Sequence, residues 1–291
     1  MKVFVTGASG WVGSAVVPEL VAAGHEVTGF ARSDASAAAV EAMGARVLRG
    51  DLDDLEALQE GALHSDGVVH LAFRHDFADF DAAVESDARA IGALGRALEG
   101  SGKPLVVTSG TPALAGQVAT ERDRSSGGLA SGREANSDAA LAFAARGVRP
   151  VVVRLPRSVH GQGDHGFVSR LIAIAGERGV AGFVGDGSAR WPAVHVRDAA
   201  RLYRLALEQA PAGSVLHAVG DEGVFTGDIA STIGAKLGLR VEPAAPETFG
   251  FLGALMGLDQ PASSEQTRAL LPWSPVEVGL LADLEAGHYF G

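Results

Sequence analysis

The sequence predicts an α/β fold: a doubly wound parallel sheet with a smaller C-terminal lobe. Three observations carry that expectation. Short β-branched runs alternate with helical apolar spacing through the first half of the chain. A glycine-rich stretch, "VTGASGWVG", lies between the first strand pattern and the first helical one. Apolar runs such as "KPLVVTSG" need cover on both faces, which helices on either side of a parallel sheet supply. At 291 residues and 47% hydrophobic composition, the chain has enough apolar material for a large core.

The elements follow in order. "KVFVT" is the first strand, and "WVGSAVVPELVAAG" is a helix that ends at Gly24. "HEVTGFA" reads as a strand, "DASAAAVEAMG" as a helix, "ARVLRG" as a strand, and "DLDDLEALQEG" as a helix whose acidic start suits the helix dipole. Then come the buried strand "DGVVHLAF", a long helix to about Gly100, and the strand "KPLVVTSG". Residues 111–131 are rich in Gly, Ser and charge and read as a loop or flap. The helix "SDAALAFAARG" and the strand "RPVVVRLP" follow, then the polar loop "SVHGQGDHG" and the helix "FVSRLIAIAGERG". "VHVRDAARLYRLALEQA" is a strand end running into a helix, and the tail from Thr226 reads as short helices separated by Gly and Pro. The expected division is a core of residues 1–160, rejoined by about 193–222, with 161–192 and 223–291 forming a substrate-binding lobe.

The glycine stretch has the spacing G-x-x-G-x-x-G. Between a strand and a helix, Gly7 permits a tight turn, Gly10 lets backbone approach a pyrophosphate, and Gly13 lets the helix pack closely on the strand. This predicts a Rossmann-like dinucleotide site in which Gly7, Ser9, Gly10, Trp11, Val12 and Gly13 form the phosphate loop. An NAD site places an acidic residue about 20 positions further on, against the ribose hydroxyls. Here the second strand ends "GFARSD", with Arg32 and Ser33 near that place and Asp34 slightly too late. A guanidinium there favours the 2′-phosphate, so NADP(H) is the expected cofactor; one charge-assisted hydrogen bond contributes about 1.5–3 kcal/mol.

Composition excludes other classes. The absence of cysteine removes disulfides, thiolate nucleophiles and cysteine-based zinc sites. A formal charge of −11 argues against a general nucleic-acid or acidic-membrane surface. No apolar run reaches the roughly 18 residues of a membrane span, and "MKVFVTGASG" enters a strand pattern at once. The expectation is a soluble cytoplasmic protein acting on a small molecule, with a homodimer as the ordinary oligomer. His160, Asp164 and His165 in "HGQGDH" lack the helical spacing of a metal site, and no metal is expected.

With these motifs in place, the chain resembles the extended or atypical short-chain dehydrogenase/reductase superfamily, in its NAD-dependent epimerase/dehydratase branch. The resemblance runs through "TGASGWVG", "ARSD", "RGDLDD", "VVHLAF", "VVTSG", "VVVRLPRSVHGQGD", "WPAVHVRDAARLYRLALE" and "LPWSPVEVGLLADL". It implies that Asp51 and Leu52 lie beside the adenine and that Leu71, Ala72 and Phe73 line the cofactor channel. It also implies that Thr108 meets the cofactor and that Pro156, Ser158 and Val159 approach the nicotinamide. The family's chemistry rests on Tyr-x-x-x-Lys plus a hydroxyl at the end of the fifth strand, a role that falls to Ser109. The next helix, in "ASGREANSDAALAFAARG", holds neither Tyr nor Lys; the only tyrosines are Tyr203 and Tyr289, and the only lysines Lys2, Lys103 and Lys236.

Loss of a positioned general acid costs about 10²–10⁴-fold, so another donor is needed for reduction to persist. Loops after the C-termini of parallel strands line the ligand crevice, which points first to His160 and then to His75, with Asp76, Asp164, His165 and His195 behind them. Arg154 and Arg157 could meet an anionic substrate or cofactor phosphates, although arginines at strand ends are usually solvated or ion-paired. Phe167, Phe183, Trp191, Phe249, Phe251 and Trp273 are candidate apolar walls. The leading expectation is an NADP(H)-dependent oxidoreductase on a small to medium organic molecule. A non-redox isomerase, lyase or cyclase retaining NADP, and an NADP-responsive binding protein, are the alternatives.

Overall fold

The computed structural model describes residues 1–74, 79–114, 116–125 and 130–290. The first half alternates as the sequence patterning requires: β1 (Lys2–Thr6), α1 (Gly13–Ala22), β2 (Glu26–Ala31), α2 (Asp34–Ala42), β3 (Arg46–Arg49), α3 (Leu55–Leu63), β4 (Gly67–His70), α4 (Phe80–Ala97), β5 (Pro104–Gly110), α5 (Ala130–Leu141) and β6 (Arg149–Leu155). There follow β7 (Ser158–His160), α6 (Phe167–Arg178), β8 (Val180–Phe183), β9 (Arg190–His195), α7 (Val196–Gln209), β10 (Ser214–His217), β11 (Asp221–Phe225) and α8 (Thr226–Leu237). The chain closes with β12 (Arg240–Pro243), α9 (Leu252–Met256), α10 (Glu265–Leu270) and α11 (Leu280–Glu285).

The central sheet has seven strands in the order β10-β6-β5-β4-β1-β2-β3, and every pairing in it is parallel. Its direction of winding reverses between β1 and β4, the point where a doubly wound sheet opens a crevice. Side chains alternate across it. Val3, Val5 and Val106 join the core under α1 and α7, whereas Phe4, Leu105 and Val107 join the one that includes Leu58, Leu94 and Phe143. A third core, around Leu171, Trp191, Ile229, Ile233, Phe249, Leu252 and Leu284, fills the C-terminal lobe. A small sheet, β11-β9-β7, and the pair β12-β8 lie outside the central sheet. Among the described residues no helix is long and apolar enough to cross a membrane.

Several elements differ from the sequence reading. The helix expected at 137–147 begins seven residues earlier, at Ala130, and its last part, Ala142–Arg146, tightens into a 3-10 turn. The polar loop "SVHGQGDHG" opens with β7, and the region read as short helices also holds β12, whose residues are all exposed. Such short strands leave no alternating apolar signal. Trp191, Phe249 and Trp273 are at most 4% exposed and pack as core, so they are not walls open to a ligand.

Two local constraints carry testable consequences. A Cβ on Gly13 would lie 2.2 Å from the Gly7 carbonyl oxygen and 2.6 Å from that of Ala8, both backbone atoms of the turn that α1 packs against. Gly13→Ala is expected to destabilise the chain by roughly 3 kcal/mol, the upper end of overpacking costs, measured as the shift in urea midpoint.

At the other edge of the sheet, the buried His217 donates from Nδ1 to the Ser263 carbonyl at 2.8 Å, while its Nε2 faces Arg154 at 3.4 Å. Burial pushes its pKa down to about 4 from 6.5. The unfolded chain takes up this proton below about pH 6.5 and the folded chain refuses it until about pH 4, so stability falls with pH through that window. His217→Gln is expected to flatten the slope of unfolding free energy against pH there by an integrated amount of about 3 kcal/mol.

Candidate functional site

The crevice at the reversal point is built on the glycine loop. Gly7 follows β1 at φ +66°, and a Cβ there would lie 2.7 Å from the Ala72 amide nitrogen, so only glycine lets the loop pass the chain leaving β4. Gly10 donates to the Gly7 carbonyl at 3.0 Å, closing the turn. Ser9 and Gly10 are exposed, and Val12, at the N-cap of α1, offers no side-chain cap. The Ser14 and Ala15 amides donate to the Gly10 and Val12 carbonyls, whereas the Trp11, Val12 and Gly13 amides have no acceptor among the described residues and can meet an anion. Trp11 donates from its indole nitrogen to the Val159 carbonyl at 2.7 Å, joining this loop to the segment after β6.

At the end of β2, Arg32 is exposed and makes no hydrogen bond or ion pair among the described residues. Ser33 caps α2 in a reciprocal pair with Ser36. Arg49, at the end of β3, donates to the Ser33 carbonyl at 2.6 Å and to the Asp34 carboxylate at 2.8 Å. Sequence reasoning missed Arg49, whose place beside Ser33 follows from the register Ala31 opposite Arg49. Asp51 accepts from Arg74 at 2.6 Å, and Leu52 packs against the core that holds Phe30. Asp53 also takes Arg74, together with Arg89 and Ser86, and these partners, Arg74 foremost, hold its pKa down to about 2.

Behind the loop runs a buried chain of hydrogen bonds. The Ala72 amide donates to Thr6 Oγ1 at 3.3 Å, and Thr6 Oγ1 meets His70 Nδ1 at 2.7 Å. His70 Nε2 lies 3.1 Å from Asp87, whose second oxygen accepts from Asn136 at 2.7 Å. The ends set the protons: Asp87 is an acceptor, so His70 donates from Nε2 and receives the Thr6 hydroxyl at Nδ1. Burial alone would raise the Asp87 carboxyl, but the His70 bond, with help from nearby Arg133 and from Asn136, brings it below its ordinary value.

A second set meets at the end of β5. Thr108 donates to the His70 carbonyl at 2.8 Å and so receives the hydroxyl of Tyr203, also at 2.8 Å. Tyr203 is fully buried, and burial pushes its pKa well up. Arg133, on α5, donates to the Thr108 carbonyl at 2.7 Å with its guanidinium 4.0 Å from the centre of the Phe73 ring. Burial lowers its pKa, and its Nε is sealed without an acceptor. Ser109, on the opposite face of β5 from Thr108, is 5% exposed. Lys103 stands at the far end of the sheet, bound to the Ser65 carbonyl. The helix in which the resemblance expects Tyr and Lys therefore contributes Arg133 and Asn136. No motif singled these two out, because their partners are distant in sequence.

After β6, Pro156 and Ser158 are buried, and Leu71 and Val159 pack against the central core. His160 is fully buried: Nδ1 meets Asp283 of α11 at 2.9 Å, its ring packs edge-on to His195 at 5.4 Å, and Nε2 has no partner. The histidine ranked first as a proton donor is thus tied to the C-terminal tail. His75 and Asp76 lie outside the described residues. Asp164 accepts from the Gly166 amide and from Tyr289, and His165 packs against Trp11, so "HGQGDH" spreads its donors in different directions. Burial raises the Asp164 carboxyl and lowers the His195 imidazole.

Comparison with known proteins agrees with this architecture. Residues 3–218 match the model of the NAD dependent epimerase/dehydratase family. An uncharacterized protein of Saccharomyces cerevisiae is 46% identical over 295 aligned positions, covering 99% of both chains. A 4-hydroxy-2-methyl-3-oxo-4-farnesyl-3,4-dihydroquinoline-1-oxide ketoreductase of Stigmatella aurantiaca is 30% identical over 74% of this chain and 67% of its own length. Among solved structures, MoeE5 in complex with UDP-glucose and NAD superimposes with a TM-score of 0.80 at 26% identity, covering 99% of this chain and 97% of that one. The glycine loop at the reversal of a parallel sheet, the strand order and these likenesses lead to one conclusion: the chain belongs to the NAD-dependent epimerase/dehydratase family.

Proposed function

We propose that the protein is an NADP(H)-dependent oxidoreductase that interconverts a carbonyl and an alcohol on a small to medium organic molecule. The observation that carries the reading is the pairing of an open glycine loop with Arg32 and Arg49 at the ends of β2 and β3, where an NAD site would hold an acid. The residues present suit such a cofactor. Gly7 and Gly13 stand where a Cβ would strike backbone, no side chain caps the start of α1, and Arg32 has no competing partner among the described residues. The reductase name borne by the Stigmatella relative agrees with the reaction class.

A bound nicotinamide supplies or accepts the hydride. The chain's own residues then orient the reacting oxygen and stabilise the charge that develops on it. Ser109 is assigned as its hydrogen-bond partner, because the Thr108 hydroxyl is already engaged by His70 and Tyr203. Arg133 holds a fixed positive charge behind this strand end, and the proton comes through water. His160, buried against Asp283, is assigned a positioning role instead of the donor role its loop suggested. A non-redox isomerase or lyase retaining NADP is the second reading, favoured by the lack of Tyr and Lys in α5. A non-catalytic NADP-responsive protein is the third.

Two measurements test the proposal. Carbonyl and alcohol panels are incubated with NADPH, with NADP⁺ and without nucleotide, following product and nucleotide redox state together. Coupled change is expected; product without a change in the nucleotide assigns the second reading, and binding without turnover the third. In a separate titration, Arg32→Ala is expected to weaken NADPH binding about tenfold while leaving NADH nearly unchanged. An equal effect on both nucleotides would overturn the 2′-phosphate assignment.

A further inference from the structure

Several arginines lie inward on or beside the strands that build the crevice, and all but one have acceptors. Arg154 donates to the Glu134 carboxylate and to the Asp123 carbonyl, each at 2.8 Å. Arg149 reaches the carbonyls of Leu207 and Ala210. Arg133 takes the Thr108 carbonyl and the Phe73 ring. Arg157 has nothing: among the described residues its guanidinium makes no hydrogen bond and no ion pair, and its Nε is sealed from solvent. The side chain is partly buried, and burial alone pushes its pKa down to about 10.

The next residue repeats the anomaly. Ser158 is 3% exposed and its hydroxyl is sealed without a partner. Arg157 lies in the turn between β6 and β7 and Ser158 opens β7, at the C-terminal edge of the central sheet and next to Val159, whose carbonyl Trp11 holds. A guanidinium held partly out of water with no counter-charge is costly, and a buried hydroxyl without a partner adds to the cost. The chain carries 35 acidic residues against 24 basic ones, yet among the described residues none pairs with Arg157.

We propose that Arg157, with the hydroxyl of the adjoining Ser158 as a second donor, is the recognition site for an oxyanion of the substrate, a carboxylate or a phosphate. The position of this site next to the reacting group rests on the oxidoreductase reading; the binding of the oxyanion does not. A guanidinium offers parallel N–H donors that match either oxyanion. The substrate class is then an anionic carbonyl or hydroxy compound. The cofactor's own phosphates are the other oxyanions within the crevice, and the experiment separates the two sources.

Malonate and inorganic phosphate are titrated calorimetrically into the full chain, with and without saturating NADPH, for the wild type, Arg157→Met and Arg157→Lys; NADPH affinity is measured for each. The wild type is expected to bind at least one of the two anions. Arg157→Met should weaken that binding by about tenfold or more, and Arg157→Lys by less, with NADPH affinity within about twofold throughout. Arg157→Met without ligand should melt no lower than the wild type, because it removes an unmatched cation. The proposal is overturned by a wild type that binds neither anion, or by equal anion affinity in wild type and Arg157→Met. A parallel tenfold loss of NADPH, which assigns the oxyanion to the cofactor, or a melting temperature lowered by more than about 5 °C, which makes Arg157 structural, also overturns it. These titrations need no turnover, so an absence of NADPH oxidation would fail the oxidoreductase reading alone.

Discussion

The hydrogen bond between Thr6 and His70, fully buried at 2.7 Å, fixes the geometry on which the crevice depends. It ties the last residue of β1 to the last residue of β4, across the point where the sheet reverses direction. Thr6 also receives the Ala72 amide, and His70 passes the connection to Asp87 on α4 and thence to Asn136 on α5. The glycine loop, the chain leaving β4 and two helices are thus held by one polar chain inside an apolar core. Each member has a partner, which makes a buried network of this kind rigid instead of costly. The His70 carbonyl then anchors Thr108, so the end of β5 shares the same reference point.

The fold was legible because its signals are local. Strand patterns, the glycine spacing and helix stops depend on residues a few positions apart, and a parallel sheet repeats them. The start of α5 was not legible. Its first turns, "ASGRE", have the composition of a loop, yet Gly132 lies so close to α4 that a Cβ would stand 2.8 Å from Val84. Packing against α4 overrides the weak propensity.

The site was legible in its backbone and opaque in its side chains. The glycine loop could be read from spacing alone. The partners of Thr108 could not, since Tyr203 comes from a helix 95 positions away. Arg154 and Arg157 show the limit most clearly. They are three positions apart and look alike in sequence, but one meets Glu134 in the folded chain and the other meets no acceptor among the described residues. That difference is created by α5, whose own position the sequence does not announce.

The contact between His160 and Asp283 spans 123 positions, and Tyr289 reaches back in the same way to the Gly161 amide and Asp164. The last helices are therefore the clasp that holds the segment after β7. During synthesis β1 to β6 emerge first and can pair as they appear, whereas this segment waits for Asp283 and Tyr289 to emerge. The half that carries the glycine loop can assemble early; the face of the crevice opposite it is completed last.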